Sequence, residues 1–224
     1  MNKKPSGEVE SSKKKDIFTI IAYFAITFVV AFVAAFVYIV QNPDIDVEEL
    51  VLPAWAEFTP MIIMLLVFGA LYFKQIMADF KRLSRKNIKF LATILVALLA
   101  VGLGLEYLFN FLNIPIGNQE SVTEIFRQSA IIGTIITVLY APIVEEIVFR
   151  KALSGVIKNT TAFIAASALI FGLMHLSGVA TIIYILIGLL LAIAYIKTEK
   201  NLAATITLHA AYNIVGVILL LLAL

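Results

Sequence analysis

IFTIIAYFAITFVVAFVAAFVYIV, residues 17–40, runs for 24 residues without a charged side chain. A helix of that length, rising about 1.5 Å per residue, exceeds the ~30 Å hydrocarbon core of a bilayer. The run is also too long for the apolar region of a secretion signal, about 7 to 15 residues, and so reads as a retained membrane span. Upstream of it, MNKKPSGEVESSKKKD (residues 1–16) is polar and lysine-rich with no apolar periodicity, which predicts a disordered cytoplasmic tail. Downstream, similar apolar stretches cover residues 58–73, 90–112, 125–152, 161–176, 179–196 and 202–223. The sequence therefore predicts an all-α polytopic membrane bundle of about seven transmembrane helices, with six to eight possible. Residues 17–124 hold the N-terminal spans, and residues 125–224 a helical core that carries both histidines and the adjacent charges Glu145, Glu146 and Arg150.

Composition leads to the same class. The 224 residues are 62% hydrophobic and 14% charged, whereas a soluble domain is about half apolar and about a quarter charged. With no cysteine in the chain, disulfides, thiolate metal sites and a cysteine nucleophile are all excluded.

Charge is unevenly distributed along the chain, and its pattern gives an orientation. Basic residues cluster in the tail, between Lys74 and Lys89, between Arg150 and Lys158, and at Lys197 and Lys200. The alternating segments hold Asp44, Asp46, Glu48, Glu49 and Glu57, or Glu120 and Glu124, with Arg127 as their one basic residue. By the positive-inside rule, this alternation predicts a cytoplasmic N-terminus and an outside C-terminus. The basic residues follow the cytoplasmic loops, so nothing in them argues for a nucleic-acid partner.

An ionised group at mid-membrane costs at least about 2.5 to 3.5 kcal/mol on insertion scales, which makes intramembrane charges candidates for function. Glu145, Glu146 and Arg150 are three such charges in one apolar stretch. Glu146 and Arg150, four residues apart, share a helix face and can neutralise each other, while Glu145, about 100° around, faces elsewhere and is left to bind a proton or a ligand. Pro142, one turn earlier, has no N–H for the carbonyl of Val138 and should loosen the helix beside these acids. Alternatively, the three charges lie at a frayed cytoplasmic helix end and snorkel to water. The chain's two histidines, His175 and His209, also fall inside apolar spans. His175 shares a face with Phe171, and His209 shares one with Asn213. Each histidine alone reads as a satisfied core residue; together with Glu145 and Asn213 they form a polar set from three helices that could converge where lipid offers no partners.

Glu145-Glu146-x-x-x-Arg150, Phe171-x-x-x-His175 and His209-x-x-x-Asn213, in that order, resemble the motifs of the CAAX-prenyl-endopeptidase and bacteriocin-immunity (CPBP, or Abi) family of intramembrane peptidases. The resemblance covers about residues 125 to 224. It implies a protease in which Glu145 is the catalytic glutamate, Glu146 and Arg150 support it, and His175, His209 and Asn213 complete the site. The implied substrate is a peptide or protein presented at the lipid bilayer, with or without a prenyl group.

Peptide hydrolysis needs an activated water, a group to hold the oxyanion and a proton for the leaving amine. In a zinc version, His175, His209 and a carboxylate ligate the metal and Glu145 acts as base. In a metal-free version, Glu145 with His175 activates water while His209 and Asn213 hold the oxyanion. Two histidines without an H-E-x-x-H pair make a sparse zinc site, which favours the metal-free version. Two other classes remain compatible with the residues: a non-catalytic scaffold or bacteriocin self-immunity protein with the same fold, and a small transporter using the polar set as a proton relay.

Overall fold

The computed structural model of the chain describes residues 6–43, 54–116, 119–175 and 177–224. Among these residues the chain is an all-α polytopic membrane bundle. Its helices are α1 (Ser6–Gln41), α2 (Ala54–Lys81), α3 (Arg85–Phe111), α4 (Gln119–Gln128), α5 (Ala130–Val156), α6 (Thr160–Met174), α7 (Thr181–Lys197) and α8 (Leu202–Ala223). All but α4 and α6 are long and apolar enough to cross a membrane, giving six candidate spans. The fifth expected span is the 15-residue helix α6, and the end expected for it at residue 176 lies outside the described residues. The acidic stretch Asp44–Glu49 also lies outside them.

The segment expected to be a disordered tail is helical from Ser6, a correction with two physical causes. Lysine and glutamate are good helix formers and simply extend the apolar helix that follows. The end of the segment is also docked: Asp16 is buried, pairs with Lys151 Nζ at 2.8 Å and accepts a hydrogen bond from the Tyr72 hydroxyl at 3.1 Å. Helix α2 likewise continues past Phe73 to Lys81, where the buried Asp79 is fixed by α8.

That docking belongs to one polar end of the bundle. Asp79 Oδ2 accepts the backbone N–H of Leu202 at 3.0 Å, and Asn201 donates to the Asp79 carbonyl at 2.9 Å, so the end of α2 caps the start of α8. The ammonium of Lys15 lies 4.2 Å from the Tyr72 ring centroid. Lys200, in the α7–α8 turn, has its pKa lowered by partial burial and by its neighbours Lys158 and Lys151. The start of α1, the end of α2, the end of α5 and the α7–α8 turn thus meet at the end where the basic residues collect.

Helix α7 is the most buried of the candidate spans and α1 the least. It packs against α6 at close range because small residues face each other. A Cβ on Gly172 would come within 2.8 Å of the Ile185 backbone nitrogen, and Gly188 faces Ala168 and Phe171. Close backbone approach of this kind is how helices associate where lipid is as apolar as the side chains. The large apolar residues left exposed, such as Phe28, Phe32, Leu66 and Ile131, are those that lipid would cover.

Candidate active site

Helix α5 is not a regular α-helix. Residues Ile135–Tyr140 and Glu146–Ala152 are π-helical, separated by one α-turn at Ala141–Glu145. Pro142 sits at the start of that turn and cannot donate backwards, as its sequence position implies. Each π-turn widens the helix by an i→i+5 register, a distortion frequent at functional sites.

The second π segment holds the charged pair. Arg150 Nε lies 3.3 Å from Glu146 Oε2, and both side chains are fully buried. Neither atom is aligned for a hydrogen bond, so the contact is one of charge at short range. Arg150 is held further by Nη1 donating to Ser167 Oγ at 3.0 Å, with Ser167 in turn donating to the Phe149 carbonyl at 2.8 Å. The guanidinium also faces the Phe171 ring at 4.8 Å. These contacts bury the pair instead of leaving it at a frayed end.

His209 of α8 lies between the two glutamates. Its Nδ1 is 3.1 Å from Glu146 Oε1, and its Nε2 is 3.9 Å from Glu145 Oε2. The expectation that Glu145 faces away from Glu146 is therefore corrected: both carboxylates meet one imidazole, each at a different ring nitrogen. The ring spans the angular separation of two adjacent residues, and Glu145 closes the α-turn where the wider register begins. Glu145 keeps 18% of its side chain exposed, whereas Glu146 has none, so it is the carboxylate with access to an incoming group. Glu145 Oε2 has no protein hydrogen-bond partner.

His175 stands just beyond the end of α6, with Nδ1 2.7 Å from the Phe171 carbonyl. Its ring stacks on Tyr184 of α7 at 4.0 Å. The Phe171 ring connects the histidines, 4.7 Å from His175 and 5.8 Å from His209. Asn213, one turn after His209, donates from Nδ2 to the Thr137 carbonyl at 2.7 Å. Beside these residues a cavity of about 490 Å³ is lined by Thr137, Asn213, Tyr184, Tyr212, Glu106 and, for the most part, by apolar side chains.

Ser167 and Tyr184 were not singled out in the sequence, although Ser167, Phe171 and His175 recur every fourth residue on one face of α6. Tyr184 had no such signal, because an isolated tyrosine in an apolar helix reads as core.

The donor set does not fit a three-ligand zinc site as arranged. Among the described residues, no three His, Asp or Glu side chains come together as metal donors, and the Nδ1 of each histidine faces an oxygen of the protein. No step is derived through a metal.

Fold and site define a class: a polytopic helical membrane protein with a buried cluster of carboxylates, a guanidinium and an imidazole built on an irregular helix. Residues 127–215 match the family model described as Rce1-like, Type II CAAX prenyl endopeptidase. Over those residues the chain is similar to the CAAX-protease family that its three motifs resemble. It is also 27% identical over 199 residues to a protein of Mycoplasma capricolum subsp. capricolum named only as an uncharacterized protein, an alignment covering 81% of this chain and 58% of the relative. A second relative is the "Putative membrane peptidase YdiL" of Bacillus subtilis (strain 168), 29% identical over 86 residues, which are 37% of this chain and 35% of that protein. The chain thus aligns with 58% of the length of the first relative and 35% of the second. No solved structure matches it.

Proposed function

We propose that the chain is an intramembrane endopeptidase that hydrolyses a peptide bond in a peptide or protein presented at the membrane. The observation that carries this reading is the placement of His209 between a compensated carboxylate, Glu146, and a partly accessible one, Glu145. In this reading Glu145 is the general base. It takes a proton from a water molecule, and the hydroxyl oxygen attacks the scissile carbonyl carbon. Glu146, held by Arg150, accepts from Nδ1 of His209 and so orients Nε2 toward the reacting centre. There Nε2–H of His209 stabilises the developing oxyanion, and as the C–N bond breaks the proton that Glu145 took from water passes, with the help of His175, to the leaving amine. Glu145, Glu146, Arg150, His175, His209 and Asn213 make up the proposed site. The apolar cavity supports a substrate whose flanking residues are themselves apolar. The N-terminus is proposed to be cytoplasmic.

The test uses purified protein in proteoliposomes and a mass-spectrometric readout of a membrane-anchored peptide library. Glu145→Gln keeps the shape of the side chain but cannot take a proton. It is expected to accumulate and fold as the parent does and to lose at least a hundredfold in turnover, within the usual span for a general base. Glu145→Asp should retain a small residual rate. A strong chelator should leave the parent's rate unchanged; recovery by zinc of a rate lost to chelation would overturn the metal-free mechanism. Turnover by Glu145→Gln at the parent's rate would remove Glu145 from the role of base.

A further inference from the structure

We infer that Asn213 is a positioning residue that replaces, from another helix, the backbone hydrogen bond that Pro142 cannot make. In the first π segment of α5 the N–H of Ala141 reaches back five residues to the carbonyl of Ile136. Continued by one residue, that register would have residue 142 donate to the carbonyl of Thr137. Residue 142 is proline and has no N–H. The Thr137 carbonyl instead accepts Nδ2 of Asn213 at 2.7 Å, from helix α8. Because the acceptor is a carbonyl, the amide must present its nitrogen, which fixes the orientation of the side chain.

The location of this bond gives it a consequence. A backbone carbonyl without a partner in an apolar bundle is destabilising, so α5 can be broken at Pro142 only where a donor from outside supplies the bond. His209 and Asn213 lie four residues apart on one face of α8, and they hold α5 on both sides of the break: Asn213 at Thr137, His209 at Glu145 and Glu146. The bond to Thr137 therefore sets where the turn carrying Glu145 lies relative to the imidazole. Asn213 acts through the backbone of α5, and its Nδ2 hydrogen bond goes to this carbonyl.

The decisive experiment restores the missing donor. Asn213→Ala and Asn213→Asp both remove the N–H donor; each is expected to speed amide hydrogen exchange across residues 137–146 at least tenfold and to lower the thermal midpoint. In the double variant Pro142→Ala with Asn213→Ala, residue 142 regains an N–H and Thr137 regains a backbone donor in either helical register. Exchange and thermal midpoint should return most of the way to the parent's values. This arm needs no activity and stands even if the peptidase reading fails. In the turnover arm, which rests on that reading, Asn213→Ala should lower kcat at least tenfold with KM little changed, and the double variant should recover most of it. A residue that touched the oxyanion directly would gain nothing from Pro142→Ala. A double variant as impaired as Asn213→Ala in exchange and midpoint overturns the inference, as does unchanged exchange in Asn213→Ala. If Asn213→Ala does not fold, folding of the double variant supports the inference and its failure to fold overturns it.

Discussion

At the scale of the residue, Glu146 and Arg150 are a matched buried pair, and the pair makes a demand that Glu145 does not. Removing one partner leaves the other charge stranded in a low-dielectric interior, at a cost of about 3 to 5 kcal/mol. Arg150→Ala is therefore expected to lower both membrane abundance and thermal midpoint, whereas Glu145→Gln should alter neither. Combining Glu146→Gln with Arg150→Gln removes both charges and should recover part of the loss in a thermal scan of detergent-solubilised protein. A double variant as unstable as Arg150→Ala, alongside either single variant fully stable, would mean that the two groups do not depend on each other. The pairing itself was legible in the sequence, because a spacing of four residues places two side chains on one helical face in either register. What spacing could not reveal was that Glu145 approaches the same imidazole as Glu146. Adjacent helical residues diverge, and only a ring from a different helix, with a nitrogen on each side, could meet both.

At the scale of the element, most helices announce themselves by apolar length, and their errors lie at the polar ends. Helix α1 starts at Ser6 although its first residues have no apolar period, because the signal lies in the docking of Asp16 on Lys151 and Tyr72. The nearest partner in sequence is 56 residues away, so no local reading could find it. Helix α5 gives the opposite case. Pro142 predicted a distortion, but a proline does not state whether a helix bends, breaks or changes register. Two π segments on either side of one α-turn are the outcome, and they depend on what α8 offers to the freed backbone. The spacing of the motifs leaves open how His175 reaches Glu145 and His209. His175 is joined to them through the shared ring of Phe171, with α6 ending at Met174.

At the scale of the whole molecule, the clustering of the α1 start, the α2 end, the α5 end and the α7–α8 turn bears on orientation. Lys15, Lys151, Lys158 and Lys200 belong to that one end, and the positive-inside rule assigns such an end to the cytoplasm. Reporter fusions after Lys89, Lys158 and Lys200 are expected to read as cytoplasmic, and those near Asp46, Asn118 and Leu224 as outside; a fusion at Lys89 found outside would reverse the assignment. The membrane class was readable from composition alone, because lipid leaves no other solvent for so apolar a chain.

The 15 residues of α6 reach only ~22 Å at about 1.5 Å each, against a hydrocarbon core of ~30 Å. A helix that falls short of the acyl thickness is met by local thinning of the leaflets and by headgroups drawn inward. Thinning of that kind beside α6 would form a dimple and bring water and headgroups closer to His175, just beyond the end of this helix. A transmembrane substrate approaching from that side would lose part of its hydrophobic support, and its helix would fray where it must expose a bond. Lipid thickness should thus act as a throttle: vesicles of short-chain phosphatidylcholine are expected to raise turnover several-fold over long-chain ones, with the protein equally folded in both. Equal turnover across that series would show that the dimple plays no part in delivering the substrate.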